Sequence, residues 1–519
     1  MLQSKNHLQG GYLYMSGMSR HLWLLIGGVV ILILALLISF SLYFLSTITP
    51  RKSASGTPTH VTSTHPLNQP PISLSGAAKI TRSPTPSTTP NGGIQMLQLS
   101  SDPYTNSGSQ HQTEVEPGTF SHGSTIVSAF QAGRFSDIGS SNIGWATSND
   151  GGTTWQHGFL PGTTKLAGGP YDRITDPSVT YDAALETWMI TTIVFRETPG
   201  SITAPAVLAS LSIDGGITWG TPVTVADVGG NGYPDKDWVV CDNTFTSPYY
   251  GTCYVEWDDS ARNDLIRINT SRDGGKSWAA ARTTINRASG FDGAPLVQPD
   301  GTVIVPLSNA SQTTVMAFTS HDGGASWSQP TTIATVTSFS QSAYFQDKIL
   351  LNAGLDSSGK VYLTWVDCRF ETGCQGNDLV MTTSTDGITW TQVQRIPIAH
   401  IGSGINYYVS GLGVDTSTSG STAHLGLVFY YYAASCVNDC KLSVGFISSI
   451  NGGITWSAKT QVAGPFPASW VARGNNKVGD YISLSFSRGR AFPVFSAATA
   501  PGASHLNEAM YTVQGGITL

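Results

Sequence analysis

Six short motifs set a carboxylate or an amide beside glycine: SNDGGTTW (148–155), SIDGGITW (212–219), SRDGGKSW (271–278), SHDGGASW (320–327), STDGITW (384–390) and SINGGITW (449–456). A carboxylate in a glycine turn can serve as an acid or base, ligate a cation, or accept hydrogen bonds from the turn's own amides. Catalysis does not need the same carboxylate six times, and Asn451 takes the Asp position while keeping an acceptor. The motif therefore reads as architecture. Its glycines supply the positive φ of a tight hairpin. Asp150, Asp214, Asp273, Asp322, Asp386 and Asn451 pin turn amides, and Trp155, Trp219, Trp278, Trp327, Trp390 and Trp456 fold back as apolar plugs between layers of their own repeat unit.

Other chemical signatures are weaker. The six cysteines fall into close pairs, and local pairing of Cys241 with Cys253, Cys368 with Cys374 and Cys436 with Cys440 is the simplest expectation. No C-x-x-C with a nearby His completes a zinc set. The Gly-Lys-Ser at 275–277 lacks a phosphate-binding loop's first glycine, since Thr270 occupies that position. Neither H-E-x-x-H nor G-x-S-x-G occurs. No cofactor is expected, although clustered aspartates leave a structural calcium open without any EF-hand pattern.

The elements that carry these residues repeat. The tryptophans stand at 155, 219, 278, 327, 390 and 456, so by subtraction the intervals are 64, 59, 49, 63 and 66. A second repeat of β-type runs accompanies them: TIVSAFQ, WMITTIVF, CYVEWDD, VIVPLSN, VYLTWVD, LGLVFYYY and AFPVFSA. Most follow a turn signal and read as the second strand of a hairpin, with a third strand leading into each motif and a fourth leaving it. Radial repetition of four short strands describes a β-propeller. Seven blades are expected, with six as the alternative, and IQMLQLS near residue 97 is expected to complete the last one. Pro306 and Pro493 lie inside two runs, where a bulge is expected. The whole of 94–519 reads as one all-β domain.

Composition places this domain. With 27 basic and 33 acidic side chains the formal charge is −6, and only 12% of residues are charged, which argues against a nucleic-acid partner. Residues 1–21 read as a short cytoplasmic tail. Residues 22–46 (LWLLIGGVVILILALLISFSLYFLS) are apolar over the length that a bilayer demands and read as a transmembrane signal-anchor helix. Residues 47–93, rich in Ser, Thr and Pro, read as a disordered stalk. Local disulfides favour an oxidising compartment. The expected location is thus the cell membrane, single-pass, with the C-terminal domain extracellular, and a glycan or cell-surface protein as partner.

S-x-D-G-G-x-T-W resembles the Asp box, or BNR repeat, of sialidases and related propellers, and the copies span 148–456. DPSVTYD, DKDWVVCD and VYLTWVDCRF resemble the sialidase-like repeat proteins of bacterial surfaces. The resemblance implies a working site on the face opposite the boxes. It implies an exo-sialidase type of glycosidase, with a non-catalytic glycan- or protein-binding propeller as the alternative. Sialidase chemistry wants guanidinium groups for a sugar carboxylate, a Tyr nucleophile with a carboxylate to take its proton, and an acid/base Asp. Carried onto this chain, those roles fall to Arg173, Arg287 and Arg369, to Tyr481, and to Asp176 or Asp237. YDRITDP is similar to the family's R-I-P element but comes after the first box rather than preceding it. GDYISLSF is similar to the Tyr-bearing strand, yet no Glu stands near Tyr481 in the sequence.

Overall fold

Runs such as VYLTWVD and CYVEWDD are buried along their whole length. A strand reads this way when its sheet packs between two other sheets and offers neither face to water. The computed structural model describes residues 94–339, 349–474 and 478–519. The expected tail, anchor helix and stalk lie outside the described residues, among which no helix is long and apolar enough to cross a membrane.

After β1 (Met96–Gln98) the chain forms a series of antiparallel meanders. The first holds β2 (Glu114–His122), β3 (Thr125–Arg134), β4 (Ser140–Ser148) and β5 (Gln156–Phe159). The second holds β6 (Arg173–Asp182), β7 (Thr187–Thr198), β8 (Ser201–Ser212) and β9 (Val223–Asp227). A single pairing, Ser140 with Ile174, joins these two. The third has β10 (Pro234–Cys241), β11 (Cys253–Asp259) and β12 (Leu265–Ser271). Its expected fourth strand is reduced to isolated bridges from Leu265 to Ser289 and from Ile268 to Arg282.

Three further four-stranded units come next. They are β13 (Leu296–Val297), β14 (Val303–Ser308), β15 (Thr314–Ser320) and β16 (Thr331–Thr335); β17 (Asn352–Leu355), β18 (Val361–Asp367), β19 (Asp378–Ser384) and β20 (Gln394–Arg395); and β21 (Ile405–Val414), β22 (Leu425–Ala433), β23 (Lys441–Ser449) and β24 (Thr460–Pro467). The closing sheet takes β25 (Ser483–Ser487), β26 (Arg490–Ala498), β27 (Glu508–Val513) and β28 (Ile517–Thr518). β1 completes it by pairing Leu97 with Thr512, so the two ends of the domain share one sheet. First strands of successive units touch in order: β2 on β6, β6 on β10, β10 on β13, β13 on β17, β17 on β21, β21 on β25, and β25 back on β2. The architecture is an all-β, propeller-like arrangement of antiparallel sheets.

The prolines need no bulge. Pro306 pairs with Ala317 and Pro493 with Leu484 in unbroken register. Pro306 faces the side where β13 has already ended, and Pro493 falls between the stretches of β26 that pair with β28 and β27. Neither position demands an N–H.

Each box joins the third strand of its unit to the fourth strand, or to the segment that takes its place. In the first copy Ser148 Oγ donates to Asp150 Oδ1 at 2.8 Å and accepts from Gly152 N at 2.8 Å, while Thr154 Oγ1 donates to Asp150 Oδ2 at 2.6 Å. The same ties recur at Asp214, Asp273 and Asp322. The serine ties recur also at Asp386, with its single glycine. At Asn451 the polarity reverses, its amide donating to Thr455 Oγ1 at 2.8 Å.

The tryptophans correct one expectation. They sit in the seams between units rather than inside their own. Trp219 shares a core cluster with Val127 and Trp145 of the first unit. Trp327 meets Tyr254 of the unit before it edge-on, with ring centroids 6.2 Å apart. The last box glycine presses on the same neighbour. A Cβ at Gly216, Gly324 or Gly387 would come under 3.0 Å from Val127, Thr270 or Ile304 respectively, each in the preceding unit.

A degenerate copy, TVQGGITL (512–519), ends the closing sheet. It lacks the Ser, Asp and Trp, Gly516 rests on Phe492 of its own sheet, and Leu519 packs on the cluster shared with the sixth unit.

Candidate functional site

The first strands turn inward at bulges. Register shifts fall between Val115 and Gly118 in β2, Thr175 and Ser178 in β6, and Asp235 and Trp238 in β10. At these bulges Glu116, Asp176 and Lys236 adopt φ of 57°, 49° and 52°. Non-glycine residues hold such a conformation at about 1–3 kcal/mol each, and only where packing fixes them. The bulge re-aims one charged side chain per strand, and all three are buried.

These side chains meet residues from the closing unit. The Lys236 ammonium pairs with Asp480, and its backbone N–H donates to Asp176 at 3.2 Å and Asp235 at 3.1 Å. Asp480 N donates to Glu116 Oε1 at 3.0 Å. Gln131 donates to Glu116 and, at 3.0 Å, to Thr175 Oγ1, whose hydroxyl donates to Asp176 at 2.9 Å. Arg134 reaches Gln131 Oε1 at 3.3 Å and Gly139 O at 3.1 Å. Tyr481, only 7% exposed, meets Trp238 edge-on at 5.8 Å and lies 5.7 Å from the Lys236 ammonium.

Burial governs the charges. It pushes Glu116 up to about 7, an effect that Arg134 opposes and Asp480 reinforces. Burial, with Asp176 and Asp235 nearby, holds Asp237 well above the usual carboxylate range. Glu256 and Asp258 are raised likewise, by burial first and then by Asp292 and Asp235 respectively. Tyr481 is raised by burial and by the carboxyls of Asp176, Glu116 and Asp237. Lys236 loses solvation, yet Asp480 and Asp176 hold its proton more firmly than usual. Among the described residues no group of three or more His, Cys, Asp or Glu side chains forms a metal-holding set.

Tyr481, Asp176 and Asp237 thus come together. The three arginines do not. Arg173 is buried between Asp137 at 2.6 Å and Glu197 at 3.0 Å, stacked 4.1 Å from the Phe135 ring. Arg369 is exposed and engages Asp367 at 2.6 Å together with Thr335 O. Arg287 is an exposed loop residue with φ of 53°. All three disulfides, 241–253, 368–374 and 436–440, are formed as the spacing suggested.

Glu116, held to the backbone of Asp480 from 364 residues away, brings a carboxyl group into electrostatic reach of Tyr481. A signal existed in the pairs Glu116-Pro117 and Asp176-Pro177, which take the same bulge position in successive first strands.

Residues 249–419 match the family model of the BNR repeat-like domain, a segment that contains three of the six boxes. That segment is thereby similar to BNR repeat-like domains. No curated protein matches it. Solved structures similar to it include the Hadza microbial sialidase Hz136, at 14% identity and TM-score 0.40, covering 78% of this chain and 66% of that one. A polysaccharide lyase of the PL25 ulvan lyase family has 12% identity and TM-score 0.45, covering 79% and 96%. Trypanosoma rangeli sialidase in complex with the inhibitor DANA has 12% identity and TM-score 0.42, covering 80% and 58%. The chain spans less than two thirds of either sialidase.

Proposed function

We propose that the protein is a seven-bladed, glycan-active propeller that hydrolyses glycosidic bonds at the cluster of buried charges on its first strands. The circuit of first-strand contacts supports the blade count. One observation carries the catalytic reading: Tyr481, Glu116, Asp176 and Asp237 lie within electrostatic reach of one another around Lys236. In this scheme the Tyr481 oxygen attacks the anomeric carbon while Glu116 takes the phenolic proton. Asp237, kept protonated by burial, gives its proton to the departing oxygen, and water later releases the sugar from Tyr481. Asp176 orients the Lys236 backbone, and Arg287 and Arg369 are rim residues for the remainder of the glycan.

The test is turnover of fluorogenic glycosides by the full-length protein. Wild type should release the fluorophore, and Tyr481→Phe and Asp237→Asn should each lower kcat/KM about 100-fold or more with an unchanged melting curve. Folded protein inert across neutral, amino and acidic glycosides would sink the catalytic reading. The burial of Tyr481 favours a second reading, a binding propeller without chemistry. That version binds glycans equally well with Tyr481→Phe.

We also propose that residues 22–46 anchor the domain in a membrane with 94–519 outside the cell. Protease added to intact cells should then remove the domain.

A further inference from the structure

Resting on the glycan-active reading, we infer that the central cluster takes a sugar whose reacting ring carries no carboxylate, neutral or amino-substituted, and that sialosides and uronides are poor ligands. Every cation near Tyr481 among the described residues is already engaged. Lys236 is paired with Asp480 and holds Asp176 through its backbone. Arg134 is directed at Gln131 and Gly139 O. Arg173 lies between Asp137 and Glu197, and Arg369 lies on Asp367. Arg173 and Arg369 are therefore neutralised where they stand, and the Arg134 guanidinium is turned toward an amide oxygen and a backbone carbonyl.

What surrounds the site is acidic. Glu116, Asp176, Asp237 and Asp480 face Tyr481, and behind them Glu256 and Asp258 project from β11 with both oxygens of each buried and without hydrogen-bond partners. Glu256 faces Asp292 and Asp237, and Asp258 faces Asp235 and Lys236. A carboxylate entering here would lose its water and meet lone pairs in place of donors. Sugar hydroxyls suit the same groups, because a carboxyl that keeps its proton both donates and accepts. An ammonium suits them too, since it would meet carboxyls able to ionise against it.

The experiment pairs turnover with binding, on full-length protein. Fluorogenic glycosides of hexoses and of glucosamine are compared with a sialoside and a glucuronide, and the corresponding free sugars are titrated by calorimetry. Neutral and amino sugars should exceed the acidic ones at least tenfold in kcat/KM, or in affinity if nothing turns over. Asp480→Asn, which removes the Lys236 ammonium's ion-pair partner, should move that ratio toward the acidic sugars about tenfold. If that variant does not fold, the wild-type ratio alone decides. A wild-type preference for the sialoside or glucuronide overturns this inference and leaves the catalytic reading standing. Binding of neutral sugars without turnover overturns the catalytic reading and keeps the inference. No binding and no turnover with any sugar overturns both.

Discussion

At the scale of single residues, the box aspartate and the box glycine make different demands. The aspartate needs only to accept from a turn, and Asn451 already does so. Asp214→Asn should therefore cost under about 1 kcal/mol in urea unfolding. Gly216 has φ of 77°, and a Cβ there would collide with the stiff Val127 side chain of the neighbouring unit. Gly216→Ala should cost about 2–4 kcal/mol, from left-handed strain plus overpacking. Equal costs for the two variants would show that the box acts only as a turn. The sequence exposed the turn role through φ-permissive glycines. It could not expose the collision, which depends on a residue about ninety positions earlier in the chain, in another sheet.

At the scale of elements, the hairpins were legible because their signals are local: turn glycines, alternating or continuous apolar runs, and a fixed order of motifs. The missing fourth strand of the third unit was not, since AAARTTINRASG after Trp278 carries no pattern that separates a strand from isolated bridges. The cluster of buried charges was half legible. Tyr481, Asp176 and Asp237 carry chemical side chains, and a family resemblance flagged them. Glu116 needed ring closure to reach them.

The disulfide between Cys241 and Cys253 closes a hairpin in that same third unit, at a directly paired position of β10 and β11. Replacing both cysteines with serine should lower stability by about 3 kcal/mol through the freed unfolded chain. The measurement is the shift in urea midpoint against wild type under non-reducing conditions.

For the whole molecule, ring closure is fastened by buried acids. Glu114 accepts from Met510 N at 3.0 Å, and Glu508 accepts from Ala472 N at 2.8 Å and Ser496 Oγ at 2.8 Å. Burial pushes Glu114 and Glu508 up to about 8 and Glu116 to about 7, from 4.5. The folded state then binds more protons than the unfolded one between those values, so these groups stabilise most below pH 4.5 and lose that contribution as pH rises toward 8. In the box aspartates burial acts upward, but hydrogen bonds from Ser or Thr outweigh it and hold them below 3.8, so their contribution is lost as pH falls past that value. The Tm should peak at about pH 4–5 and decline toward pH 8. Glu508→Gln should flatten that decline, as calorimetry across the range can check.

The degenerate copy at 512–519 gives one seam a different thermal character. Six seams carry a box, with its glycine seated on the neighbouring unit and its hydrogen-bonded turn, whereas the sixth unit and the closing sheet meet without one, chiefly through apolar residues such as Phe466, Ile482, Leu484 and Phe495 beside the Tyr430 hydroxyl on Ser496 O. Apolar association weakens on cooling, while close-fitted hydrogen-bonded contacts do not take that course. At about 5 °C, amide exchange in β24 and β25 should quicken relative to the other strands.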